Sequence, residues 1–212
     1  MNFFGHALIA SWHSAAPAFA LGAMLPDLAG MCRATVPRAS HREVAAGIEL
    51  HHATDRAFHR LPGFRSAVRA AERGLAARGL GRGPAAGAAH VAVELCLDGV
   101  LLDEPGAVEH YLAAIDCART ELDDALTWTP PEREASWRAL VARLCAHGPP
   151  TDYRDGDLVA ERVARALSCR PLLALDGAAL AGLRGEMPAI AGAAAAAAGE
   201  ILAELRRELL GA

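Results

Sequence analysis

Residues 86–102 read AGAAHVAVELCLDGVLL, and only His90, Glu94 and Asp98 interrupt the run of apolar residues and glycine. Its length and its alanine and leucine content predict a helix. The three polar residues stand four apart, so on a helix they follow one another along one stripe. A helix that is otherwise apolar all round is a buried helix. Two carboxyls and an imidazole inside it are costly unless something compensates them. A metal ion is the simplest compensator, and buried arginine pairs are the other.

The same spacing recurs earlier, at His51, Asp55 and His59. Ser40 followed by Glu43 has the form of a capping box, and the helix it opens is expected to reach about residue 59. Val44, Ile48 and Phe58 lie near the face that carries His51 and Asp55, which turns that pair inward. A core histidine hydrogen-bonded to an aspartate one turn away would leave the same trace. His52 lies about 100° round the helix, a surface position. His59, near the helix end, also suits a cation favoured by the helix dipole.

Outward from these stripes the chain keeps its helical character. Of its 212 residues 53% are hydrophobic and only 5% aromatic, and no strand-period alternation occurs. Helices are predicted over about 3–12, 14–24, 40–59, 64–78, 85–102, 103–126, 130–146, 157–168 and 177–210. Breaks fall at Leu25-Pro26-Asp27, Leu61-Pro62-Gly63, the glycine-rich link 79–83 and Gly148-Pro149-Pro150. The expectation is an all-α, single-domain bundle of seven to nine helices. Residues 1–105 would carry the metal ligands, and 106–212 would add packing helices.

Charge and cysteine usage narrow the class. A net charge of −4 argues against a generic nucleic-acid binder. The five cysteines are odd in number, widely spaced and without a CxxC, which suits reduced thiols in a cytoplasmic protein. Residues 14–26 resemble the apolar part of a signal peptide, but no arginine or lysine precedes Arg33. No run of about 18 uninterrupted apolar residues occurs, so no membrane-spanning helix is expected.

Two further residues join the candidate ligands. Asp27 follows Gly22-Ala23-Met24-Leu25-Pro26 in apolar surroundings, and His6 lies on the first apolar segment. Taken alone, a turn aspartate and a core histidine are the plainer readings. A mixed histidine and carboxylate set suits Mn, Fe or Zn better than Ca or Mg. Such an ion lowers the pKa of a water and polarises a phosphoryl oxygen, which is the chemistry of metal-assisted hydrolysis. No GxSxG, Walker A, strand-borne GxGxxG or HExxH motif competes with it. Arg65, Arg69 and Arg73 form a basic ridge on the helix 64–78. They read either as a solvated face or as a receiver for an acidic partner or a phosphate.

In order along the chain stand Asn2-Phe3-x-x-His6, Gly22-x-x-Leu25-x-Asp27, Gly47-Ile48-x-x-His51-x-x-x-Asp55 and Glu94-x-x-x-Asp98-x-x-Leu101. This ordered set resembles the acyl carrier protein phosphodiesterase family, a divergent all-helical relative of the HD-domain metal phosphohydrolases. The resemblance covers about the first 105 residues. It implies a Mn-dependent phosphodiesterase that removes the phosphopantetheine arm of holo acyl carrier protein. His6, Asp27, His51, Asp55 and Asp98 would be its metal and catalytic residues, with Asp27, His51 and Asp98 nearest the chemistry. The chain departs from the family pattern at Ala23 (usually Asn), His59 (usually Asp), Glu94 (usually Asp) and Gly99 (commonly His). His59 and His90 are candidates to replace lost ligands. Gly22–Leu28 (GAMLPDL) is also similar to an early motif of zinc phospholipase C-like enzymes. A di-iron oxygenase on similar helices, and a non-catalytic interaction protein whose stripes are salt bridges, stand as alternatives.

Overall fold

The structure, a computed structural model, describes residues 1–120 and 125–211. Among these residues the chain forms nine α-helices: α1 (Phe3–Ser11), α2 (Pro17–Met31), α3 (Arg42–Phe58), α4 (Pro62–Ala77), α5 (Arg82–Leu101), α6 (Ala107–Thr120), α7 (Arg133–His147), α8 (Gly156–Leu167) and α9 (Gly177–Leu210). Two two-residue strands, β1 (Arg38–Ala39) and β2 (Leu126–Thr127), pair antiparallel with Arg38 opposite Thr127. A 3-10 turn covers Thr151–Arg154. The fold is all-α, as the alanine-rich, helix-periodic sequence dictates.

The chain divides into two compact units, each assembled from two separate stretches. The first comprises Met1–Arg56 and Leu101–Pro150. In it α1, α2 and α6 pack on one another and α7 packs on α6. Its core holds Phe3, Phe4, Leu21, Leu25, Leu28, Tyr111 and Ile115. The Tyr111 ring is tilted against both phenylalanines, with centroids 5.9 and 5.5 Å away. The second unit comprises Ala57–Val100 and Thr151–Ala212. Here α9 packs against α4 and α8, burying Leu75, Val159, Val163, Leu183, Ile190, Ile201 and Leu205.

Several boundaries differ from the sequence expectation, each for a physical reason. Residues 25–27 do not break α2, which runs through Pro26 to Met31. A proline inside a helix costs about 3 kcal/mol, but burying an aliphatic side chain returns roughly 1.5–3 kcal/mol. Leu21, Met24, Leu25 and Leu28, on both sides of Pro26, are fully buried. The helix therefore survives its proline. It begins at Pro17 and not near residue 14: its N-cap is Ala16, whose N–H donates to Ser14 Oγ.

Ser40 makes no capping box. Its N–H and its hydroxyl both donate to the Ala125 carbonyl at the end of the two-strand ladder, so α3 begins at Arg42. The helix expected over 103–126 is shorter at its start, beginning at Ala107, and Leu126 is in β2. Residues 121–124 of that expectation lie outside the described residues. Helix α8 begins a residue before the expected 157, at Gly156, because the Asp155 carboxylate caps it by accepting from the Asp157 and Leu158 N–H groups.

The helices α2 and α3 touch backbone to backbone through two glycines. A Cβ on Gly22 would overlap the Val44 carbonyl, and one on Gly47 would overlap the Phe19 carbonyl and the Ala23 amide. One turn beyond Gly47, this contact brings His51 against α2.

Helices α5 and α9 are long and apolar enough to cross a membrane, each with a best window of mean hydropathy 1.3. Averaging over the window absorbs the isolated charges that interrupt each apolar run. In α5 61% of that window is buried within the protein, and in α9 28%.

Candidate metal centres

In the first unit, α1, α2 and α3 bring His6, Asp27, His51 and Asp55 together. Ligand atoms of His6, Asp27 and His51 lie within 4.8 Å of one another, a grouping able to hold a metal ion. His6 Nε2 is 4.0 Å from Asp27 Oδ2 and 3.3 Å from Asp55 Oδ1. His51 Nε2 is 3.5 Å from Asp55 Oδ2. The His6 and His51 rings stack, with centroids 4.0 Å apart and planes 28° from parallel. Both imidazoles are buried, whereas the Asp27 and Asp55 side chains are 28% and 34% exposed. Imidazoles therefore form the floor of the group and carboxylates its wetter wall.

Two observations fit this group to a cation. His51 Nδ1 lies 2.8 Å from the Ala23 carbonyl oxygen. A carbonyl only accepts, so Nδ1 carries the proton and, in the neutral ring, Nε2 presents its lone pair to Asp55. Lone pair against carboxylate is repulsive until a proton or a metal ion stands between them. His6 is the second: both its ring nitrogens are buried and neither has a hydrogen-bond partner, since the approach to Asp55 lacks hydrogen-bond geometry. A buried, unpartnered donor or acceptor costs about 1–3 kcal/mol, and coordination through Nε2 removes that cost at the ligating nitrogen.

The charge states agree. Burial pushes His6 down from the ordinary 6.5 to about 4, against the pull of Asp55, so its ring is neutral and able to ligate near neutral pH. Burial also disfavours the His51 cation, but Asp55, Asp27 and the Ala23 carbonyl outweigh it and raise His51. Burial would raise Asp55 as well, yet the imidazoles of His51 and His6 beside it hold it far below the usual carboxylate range. The group thus keeps an anion and draws in positive charge.

The second unit contains a separate group. His59 follows the end of α3, and His90 and Glu94 stand one turn apart on α5. Both imidazole Nε2 atoms lie 3.1 Å from Glu94 Oε1, and the ligand atoms of the three residues also fall within 4.8 Å of one another. The two rings stack at 5.1 Å, 19° from parallel. Burial pushes the Glu94 carboxyl up, but its hydrogen bonds to His59 and His90 help to carry it well below the ordinary range.

Each sequence stripe is thereby divided. His51 and Asp55 belong to the first group and His59 to the second. His90 and Glu94 share the second group, while Asp98 joins neither grouping and is fully buried. The stripe on α5 is not uniformly buried either, for the His90 side chain is 43% exposed. Gly99, where the resembled family commonly has histidine, has no room for one. A Cβ there would overlap the Tyr153 carbonyl, and Arg154 Nε donates to the Gly99 carbonyl at 3.2 Å. Arg65, Arg69 and Arg73 are all exposed on α4. Arg65 and Arg69 line a groove with His59 and His90, and Arg73 does not. Cys96 is core, its thiol pushed up to about 12 by burial. Sequence reasoning missed the Ala23 carbonyl, because a backbone acceptor leaves no mark in residue type.

Compared with protein families, curated proteins and solved structures, the chain matches none.

Proposed function

We propose that the protein is a divalent-metal-dependent hydrolase of phosphate diesters, with His6, Asp27 and His51 as the residues that hold the ion. The buried His6 ring carries this reading: its nitrogens lack hydrogen-bond partners and face two carboxylates. An ion bound there supplies Lewis acidity, polarising a phosphoryl oxygen and acidifying a water.

The remaining work falls to the chain. The Ala23 carbonyl keeps the His51 proton on Nδ1 and so fixes the ring's orientation. Asp55, ionised and partly exposed beside both imidazoles, would orient an attacking water by accepting its hydrogen bond. Asp27 brings the remaining anionic ligand. Asp98, buried outside both groups, is given no catalytic role, although the family resemblance would place one there. Mn is the preferred ion, with Fe and Zn as substitutes, since imidazole and carboxylate ligands suit all three. The resemblance supports a substrate of the phosphopantetheine type, borne on an acidic carrier protein.

Metal-stripped protein reloaded with Mn2+ and offered bis(p-nitrophenyl) phosphate and holo acyl carrier protein tests this directly. Turnover is expected in the wild type and reduced at least about tenfold in His51→Ala and Asp27→Asn, the scale at which disturbed metal shells lose activity. Absence of turnover with Mn, Fe and Zn alike would remove the hydrolase reading.

A further inference from the structure

The group of His59, His90 and Glu94 opens onto a groove of about 520 Å3 lined by His59, Phe64, Arg65, Val68, Arg69 and His90. Two imidazoles and one carboxylate are a donor set that suits zinc-class ions, and three protein ligands leave a fourth position for an exogenous group. The imidazoles are held in place before any ion arrives. Phe64 meets His59 and His90 edge-on, with centroids 5.5 and 5.4 Å away, and is itself packed on Phe58 at 4.2 Å. Arg65 and Arg69 stand one turn apart on α4, exposed, and neither makes an ion pair among the described residues. Two free guanidinium forks beside a metal-ligating group match the oxygens of a phosphoryl group.

We propose that His59, His90 and Glu94 form a second metal site, of the zinc class, whose open position takes a phosphoryl oxyanion received by Arg65 and Arg69. This site is independent of the hydrolase reading above, since it shares no residue with the first group.

Co2+ titration of the full-length protein, followed by visible absorption, tests it, with inorganic phosphate added once the metal has bound. The wild type is expected to develop a ligand-field band that Zn2+ abolishes by competition and that phosphate shifts. His90→Ala and Glu94→Gln are expected to weaken Co2+ binding at this site by about tenfold or more. His59→Gln, which keeps nearly the original bulk, is expected to do the same. His51→Ala is expected to remove only absorption from Co2+ held by the first group and to leave the phosphate-responsive band that His90→Ala removes. The double variant Arg65→Ala, Arg69→Ala is expected to keep the band and lose the phosphate response. A band unchanged in His90→Ala and Glu94→Gln, or lost in His51→Ala, would overturn the site. A wild-type band indifferent to phosphate would overturn its anion.

Discussion

At the scale of single residues, the decisive feature is a histidine that the fold holds neutral. Burial brings His6 down to about 4, while an unfolded chain returns it to about 6.5. The unfolded state therefore binds a proton that the folded state refuses. Stability contributed by neutral His6 is present above about pH 6.5 and is lost as pH falls towards 4. The depressed carboxyl of Asp55 acts with the same sign, but only below its unfolded value of 3.8. His51, whose pKa is raised, contributes stability that is complete only below 6.5, so as pH falls from 7 it offsets part of the loss from His6. The contribution of His6 to metal-free protein is predicted to fall by roughly 2 kcal/mol between pH 7 and pH 5, and His6→Gln to remove that part of the slope. Urea unfolding at both pH values measures it; equal slopes in wild type and variant would show that His6 is not buried neutral.

The same scale explains what the sequence hid. A helix advances about 100° per residue, so positions eight apart lie about 80° round from one another. A stripe of i, i+4 and i+8 is therefore a spiral. Neighbours one turn apart stay together, as His51 with Asp55 and His90 with Glu94 do. The third member drifts away, which is why His90 is half in solvent while Asp98 is sealed. Ligand types and their pairing by turns were legible; the membership of each group was not.

At the scale of elements, the first metal group depends on how closely α2 and α3 approach. Gly47 allows it, because any side chain there would meet the Phe19 carbonyl and the Ala23 amide. In an unencumbered helix, Gly→Ala stabilises by about 1 kcal/mol. At this contact, overpacking is expected to cost about 1–3 kcal/mol and reverse the sign. Gly47→Ala is predicted to be destabilised in urea and to bind Mn2+ more weakly, because Ala23 and His51 are forced apart. A stabilised variant with unchanged metal binding would contradict the close contact. Local pattern located most helices, since proline, glycine and helical period act within a few residues. It failed where a distant partner intervened. Ser40 gives its hydrogen bonds to Ala125, and the proline in α2 is overruled by leucines that only tertiary packing buries.

At the scale of the whole molecule, the all-α class followed from composition, because alanine, leucine and arginine favour helices whatever packs against them. The division into two units did not, since each is built from segments far apart in the chain. Each unit carries its own histidine and carboxylate group, and the proposed hydrolysis depends on the first. Crystals grown with Mn2+ and measured for anomalous scattering test that dependence most directly. A peak within bonding distance of His6 Nε2, His51 Nε2 and the Asp27 carboxylate is the predicted result. A map with no peak there, and with His51 Nε2 hydrogen-bonded to Asp55 in its place, would contradict it.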